Sequence, residues 1–190
     1  MSRRQRVQFA GARYHVTCRG NGGARIFTSR GDPGLFLFLL GRVLAEFRWT
    51  CLAYCLMGNH YHLVLETSGP DLSGGMQRLN HRFVRAFHAR HGTTGHLFEG
   101  PFDAVLVQDD DQLFATCRYV LLNPVRAGLV EHPGDWRWSS HRATVGLEEG
   151  PPWLGADRVV RKLDYDDLAQ SRAAFERFVL AGVGKQGRGK

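Results

Sequence analysis

The sequence predicts an α+β fold, a ferredoxin-like sandwich with one mainly antiparallel sheet and helices packed on one face. Two observations lead to this prediction. Short segments with the pattern of strands alternate along the chain with longer segments that have helical spacing, and Gly, Pro and Asn separate them. The 190 residues are 43% hydrophobic, which is sufficient for one packed domain with an extension.

The first strand and the first helix are predicted by side-chain patterning. Residues 13–19 alternate between polar and apolar side chains, as expected of a strand with one buried face. Asp32 and Pro33 favour the start of a helix, and the mostly apolar residues 35–48 continue it. The first strand and the first crossover helix are therefore expected within roughly the first quarter of the chain.

A hairpin follows this helix. Residues 50–57 are apolar on both faces, so we expect this second strand to lie in the centre of the sheet. Gly58 and Asn59 form a two-residue turn, and residues 60–67 form the third strand. The hairpin places residue 60 at the very start of a strand.

Two further helices surround the fourth strand. Asp71 can cap a helix over 75–91, in which apolar residues recur at helical spacing. Residues 102–108 form a strand, and the acidic residues after it favour a helix over 111–122. Pro124 disfavours helix at the preceding residue, so this helix is expected to end there.

The domain organisation follows from these elements. We expect one folded domain over 1–146 and an extension over 147–190, with one amphipathic helix at 164–180 and a disordered tail. No apolar run approaches the ~20 residues of a membrane span, and no apolar segment follows the basic start, as a secretory signal requires. The four scattered cysteines favour reduced thiols, so a cytoplasmic location is expected, nucleoid-associated when bound to DNA.

Two histidines form a candidate metal site. His60 and His62 project from the same face of the third strand, where two imidazoles can bind one ion. The alternative is a pair of histidines on a polar sheet face. The first strand supports the metal interpretation, because His15 and Thr17 make its face unusually polar and are candidates for a second shell or a base.

A polar stripe on the helix over 111–122 provides further candidates. Thr116, Tyr119 and Asn123 lie on one side of it, so a phenol and an amide oxygen project together. If this stripe faces His60 and His62, it supplies a nucleophile and a third, oxygen ligand. The alternative is a packed tyrosine and an asparagine that caps its helix.

The charge favours a nucleic-acid partner. The net charge is +7, and three of the 25 cations are lysine, so the others are arginine, which binds phosphate with two hydrogen bonds. Residues 1–30 and 76–91 contain arginines and no acid. The candidate DNA-binding residues are Arg3, Arg4, Arg6, Arg13, Arg19, Arg25, Arg78, Arg82 and Arg85. The alternative for each is a solvated surface arginine.

Several segments resemble the REP-associated tyrosine transposases, relatives of the single-tyrosine HUH insertion-sequence transposases. The matching segments occur in the same order as in the family and span residues 8–146. The match is specific because it combines a His-hydrophobe-His block with a Tyr…Asn-Pro-Val-Arg-Ala-Gly block. The segments are YHVTCRG at 14–20, YCLMGNHYHL at 54–63, GHLFEG at 95–100, YVLLNPVRAGLV at 119–130 and WRWSS at 136–140.

The resemblance implies an enzyme that cuts and rejoins single-stranded DNA at REP-type palindromic hairpins through a 5′-phosphotyrosine. It assigns His60, His62 and Asn123 to a divalent ion, Mg²⁺ or Mn²⁺, and Tyr119 to the nucleophile, without a nucleotide cofactor. The proton of Tyr119 goes either to a metal-bound hydroxide or to His15. The family's REP-associated group further implies a monomer.

The loop after Phe98 departs from the family pattern. Glu99, Pro101 and Asp103 stand where the family has an amide and two cations, so no DNA contact is assigned to this loop. Two other functions remain open. One is a non-catalytic nucleic-acid-binding module, and the other is a metal phosphodiesterase with water as the nucleophile.

Overall fold

Four antiparallel strands form one sheet in the order β2-β3-β1-β4. The strands are β1 (Arg13–Arg19), β2 (Thr50–Leu56), β3 (His60–Glu66) and β4 (Asp103–Val107). Helix α1 (Asp32–Phe47) connects β1 to β2, and α2 (Leu72–His91) connects β3 to β4. This order of elements and strands confirms the predicted α+β, ferredoxin-like class.

The computed structural model describes residues 7–184. After β4 come α3 (Asp110–Leu121), α4 (Asn123–Arg126), α5 (His141–Thr144), α6 (Ala156–Val160) and α7 (Leu168–Leu180). Short 3-10 turns occur at Asn21–Gly23, Pro133–Asp135 and Arg161–Leu163. Arg3, Arg4 and Arg6 lie outside the described residues, as does most of the tail predicted to be disordered. No helix within 7–184 is long and apolar enough to cross a membrane.

Helices cover both faces of the sheet, so the expectation of helices on one face is wrong. On one face, Val16 and Leu63 belong to a core that includes the buried residues of α1 and α2. On the other face, Cys55 and Val64 pack with the buried residues of α3, α6 and α7. Strands β2 and β3 carry apolar side chains on both faces of the sheet. Helices must therefore pack on both faces to exclude water from them.

Strand β2 lies at an edge of the sheet, which corrects the central position expected for it. The chain covers this edge with later segments instead of a fifth strand. The Leu56 N–H donates to the Trp138 carbonyl at 2.8 Å, and the Ser140 N–H donates to the Tyr54 carbonyl at 3.0 Å. The apolar pattern of β2 reports burial of its two faces and does not distinguish a central strand from a covered edge.

Of two predicted helix N-caps, the one at Asp109 is present and the one at Asp71 is not. Asp109 accepts a hydrogen bond from the Gln112 N–H at 2.7 Å, as its position before α3 predicts. Asp71 precedes α2, but its side chain does not cap that helix. Its carboxylate accepts from the Trp49 indole N–H at 2.8 Å, so it ties α2 to the loop that follows α1.

A buried histidine outside the candidate site predicts acid sensitivity. Both ring nitrogens of His141 lack a partner among residues 7–184, and burial, with His132 and Arg142 nearby, lowers its pKa to about 4. The unfolded chain binds this proton near pH 6.5, so stability falls as the pH drops from 6.5 towards 4. His141→Phe should reduce the stability lost between pH 7 and pH 5 by up to about 2 kcal/mol.

Urea unfolding at both pH values measures this difference. His81→Gln, a change of an exposed histidine on α2, is the control and should leave the pH dependence unchanged. An equal loss of stability in His141→Phe and the parent protein would contradict the assignment.

Candidate active site

The polar face of β1 meets the histidines of β3. Thr17 pairs with His62 and His15 with Val64 in the antiparallel register, so all these side chains share the face that α3 covers. His15 Nε2 lies 3.0 Å from His62 Nδ1, and the two rings stack with centroids 5.3 Å apart. The predicted common face of these histidines is therefore present.

His62 is a buried imidazole with one nitrogen available. Its residue exposure is 5%, and Nε2 has no hydrogen-bond partner among residues 7–184. Burial, followed by the charges of His60 and His15, lowers the pKa of His62 to about 3. The ring is therefore neutral near pH 7, which is the form that binds a metal ion.

The hairpin turn fixes the orientation of His60. His60 Nδ1 lies 2.7 Å from Asn59 Oδ1, and Asn59 Nδ2 donates to the Gly23 carbonyl at 3.2 Å. The amide oxygen therefore faces His60 and accepts from Nδ1–H, which leaves Nε2 with its lone pair. Burial and the charge of Arg19 lower the pKa of His60, so this ring too is held neutral.

Gly20 bonds to this turn and lets the loop that follows β1 pack closely against the end of the strand. The Gly20 N–H donates to the Asn59 carbonyl at 2.8 Å. A Cβ at Gly20 would lie 2.0 Å from the Ala24 carbonyl oxygen, so any larger residue would displace the loop. The sequence analysis did not identify Asn59 or Gly20 as site residues.

Helix α3 places Tyr119 over the histidines. Its buried residues, Cys117 and Val120 among them, pack on the sheet, while Tyr119 is 42% exposed. The Tyr119 ring lies edge-on to His15 and to His62, with centroids 5.7 Å away in both cases. The stripe was predicted to face His60 and His62; the Tyr119 ring contacts His62 and His15, and His60 lines the same cleft.

Asn123 follows at the junction of two helices. α3 ends at Leu121, and α4 begins at Asn123. Asn123 Nδ2 donates to the Tyr119 carbonyl at 2.9 Å, and Oδ1 accepts no hydrogen bond within the described chain. The carboxamide is thus oriented by its own helix, and its oxygen is available as a ligand.

Arg126 is a site residue that the sequence analysis missed. Its guanidinium lies over the Tyr119 ring, 4.7 Å from the centroid, and burial lowers its pKa. Pro124 led to the expectation that helix ends at Asn123. Instead α4 begins at Asn123 and places Arg126 against the Tyr119 ring.

A cleft of about 610 Å³ brings the candidate residues together. Of the predicted set, the cleft is lined by His15, Thr17, Arg19, His60, His62, Tyr119 and Asn123. Glu99 and Asp103 also line it, because the Glu99 N–H donates to the Arg19 carbonyl and Asp103 pairs with Thr17. The departures from the family pattern therefore fall inside the cleft.

The other predicted arginines within residues 7–184 do not line this cleft. Arg25 lies against Gly58 in the hairpin turn, next to a second cleft. Arg13 forms an ion pair with Asp110. Helix α2 packs on the face of the sheet opposite the one that α3 covers. Arg78 and Arg82 of this helix pair with Glu46, and Arg85 is exposed.

The donors present fit a divalent ion. Two neutral imidazoles offer bare nitrogens, and an amide oxygen lies in the same cleft. Within residues 7–184, no group of three or more His, Cys, Asp or Glu side chains could hold a metal ion. The Asn123 side chain brings an oxygen of another type to the same cleft as these histidines.

Comparisons with known proteins identify the fold. No family model and no curated protein matches the sequence. Among solved structures, the chain is similar to a REP-associated tyrosine transposase bound to a REP hairpin, with a TM-score of 0.68 and 17% identity over 82% of this chain and 92% of that one. A candidate transposase from Deinococcus radiodurans R1 gives a TM-score of 0.43 and 13% identity over 60% of this chain and 89% of that one. The chain thus has the fold of the REP-associated tyrosine transposase over most of its length.

Proposed function

We propose that this protein is a metal-dependent enzyme that nicks and rejoins single-stranded DNA at REP-type palindromic hairpins. The observation that carries the proposal is the exposed Tyr119 ring, which lies edge-on to His62 and in one cleft with His60 and Asn123. The similarity in fold to a transposase bound to a REP hairpin supports the choice of substrate.

The reaction needs one nucleophile and no high-energy cofactor. The Tyr119 oxygen attacks the phosphorus, the bond from phosphorus to the 3′-oxygen breaks, and the 3′-hydroxyl departs with a proton. The 5′-phosphate is then esterified to Tyr119. A 3′-hydroxyl attacks this ester in the second step, and the phenol leaves with its proton. The exchange conserves the number of phosphodiester bonds, so strands can be rejoined without a nucleotide cofactor.

His60, His62 and Asn123 would hold a divalent ion, Mn²⁺ or Mg²⁺, which when bound neutralises charge on the phosphate and polarises it. The chain's own groups prepare the nucleophile. Arg126 lies over the Tyr119 ring and orients it, and the exposed position of this ring admits a strand from solvent.

We assign His15 as a positioning residue. When His62 Nδ1–H donates to His15 Nε2, the remaining His62 nitrogen keeps its lone pair, as a metal ligand requires. His15 then carries its own proton on Nδ1 and has no lone pair to offer Tyr119. Of the two roles that the sequence left open for His15, this geometry favours the second shell over the base.

His15→Leu should weaken Mn²⁺ binding by about tenfold to a hundredfold, the usual effect of losing an outer-shell partner. Isothermal titration of the full chain with Mn²⁺ measures this directly. The matched control is Val105→Thr, because Val105 pairs with His15 across β4 and is 59% exposed. Unchanged Mn²⁺ affinity in His15→Leu would contradict the assignment.

One assay separates the proposed function from its alternatives. End-labelled hairpin DNA with a single-stranded flank is incubated with the full chain and Mn²⁺, then resolved under denaturing conditions. A covalent protein–DNA adduct is the expected result. Cleavage without an adduct indicates water as the nucleophile, and binding without cleavage indicates a non-catalytic module. The monomeric state and the cytoplasmic location stay predictions.

A further inference from the structure

A second, smaller cleft lies beside the turn that carries His60. Its volume is about 220 Å³, and its lining includes Arg25, Arg30, Met57, Gly58, Trp136 and Trp138. We call this cleft the tryptophan groove. Gly58 lines the groove and His60, two residues later, lines the active-site cleft, so the two sites lie on neighbouring parts of one hairpin.

The two tryptophans are held in place by the covered edge of the sheet. The Trp136 indole N–H donates to the Leu56 carbonyl at 3.0 Å, and the Leu56 N–H donates to the Trp138 carbonyl at 2.8 Å. Both side chains are nevertheless only half-buried. The two indole rings are therefore already ordered, so a ligand that binds in the groove does not have to immobilise them.

The charge in the groove is positive. Arg25 and Arg30 are exposed, form no ion pair within residues 7–184, and share the groove with no lining acid. The Arg25 guanidinium lies 3.4 Å from the position a Cβ would take on Gly58, which places its charge at the turn. The Arg137 guanidinium lies over the Trp138 ring, 4.6 Å from its centroid, and Arg137 does not line the groove.

We propose that the tryptophan groove binds one unpaired nucleotide of the DNA strand next to the phosphate that is cleaved. Fixed aromatic surface suits a base, and the two arginines suit its phosphate, which is the combination that single-strand binding sites use. The position of the strand rests on the proposed function. The groove would make the enzyme require an unpaired base at one fixed distance from the cleaved bond.

The test measures binding without chemistry. The full chain carrying Tyr119→Phe is titrated in EDTA with a DNA hairpin that has a single-stranded flank, and each flank nucleotide is replaced in turn by an abasic one. One abasic position should weaken binding about tenfold, within the range for one stacked base. Adding Arg25→Gln and Arg30→Gln should weaken binding of the intact flank and remove the abasic penalty at that position.

Two further variants keep the result interpretable. Trp138→Phe retains an apolar ring and should reduce the quenching of tryptophan fluorescence that the flank causes. Arg177→Gln changes an exposed arginine on α7, outside the groove, and should leave binding as in the parent. An abasic penalty that is equal with and without Arg25 and Arg30 overturns the proposal.

The two proposals fail separately. If the wild-type chain forms an adduct but the groove variants bind like the parent, the groove proposal is wrong and the proposed function stands. If no adduct forms while the position-specific abasic penalty depends on Arg25 and Arg30, the groove binds an unpaired nucleotide and the proposed function is wrong.

Discussion

Tyr119→Phe is expected to abolish the covalent adduct and to slow DNA cleavage by about a thousandfold or more, as losses of catalytic nucleophiles do. The substitution removes the attacking oxygen and keeps the ring, so the contact with Arg126 and the packing of α3 remain. Because the side chain is 42% exposed, the free energy of unfolding should change by no more than about 0.5 kcal/mol.

Single-turnover cleavage of a labelled hairpin in Mn²⁺ and urea unfolding together measure this prediction. Tyr165→Phe is the matched control, because Tyr165 is 48% exposed and does not line the cleft. It should cleave at the parent rate. Adduct formation by Tyr119→Phe at the parent rate would remove Tyr119 from the mechanism.

His62→Leu is expected to weaken metal binding strongly while changing stability little. Leucine removes the buried Nε2 that has no partner within residues 7–184, but it also removes the Nδ1 contact with His15 at 3.0 Å, so the free energy of unfolding of the metal-free protein should change by no more than about 1 kcal/mol. The same change removes a proposed ligand, and Mn²⁺ affinity should fall by about a hundredfold or more, with cleavage falling alongside it.

Urea unfolding without metal and isothermal titration with Mn²⁺ provide the two measurements. His81→Leu, a change of an exposed histidine on α2, should alter neither. If His62→Leu binds Mn²⁺ as tightly as the parent, His62 is not a ligand. If the metal-free variant is severely destabilised, the imidazole has a structural role instead.

Much of the site could be predicted from local periodicity. Strand alternation places His60 and His62 on one face, and helical spacing places Tyr119 and Asn123 on one side of the helix predicted over 111–122. The structure brings these residues into one cleft. The packing of α3 on that particular face of the sheet required three-dimensional information.

Other features are set by long-range contacts that no local pattern reports. The apolar run of β2 indicates two buried faces, but its backbone bonds to Trp138 and Ser140 come from residues far along the chain. Arg126 was missed because Pro124 predicts the end of a helix, whereas a new helical turn begins one residue earlier. The sequence predicts only a turn at Asn59, and the side-chain contact of Asn59 with His60 was found only in the three-dimensional structure.

The most direct test of the proposed mechanism is the position of the covalent link. Wild-type chain is reacted with the hairpin and Mn²⁺, treated with nuclease and protease, and sequenced by tandem mass spectrometry. We predict a 5′-phosphonucleotide on the peptide that contains Tyr119, and none on Tyr61, which is fully buried and donates its hydroxyl to Asn80. A nucleotide on any other residue, or cleaved DNA without a modified peptide, would contradict the account.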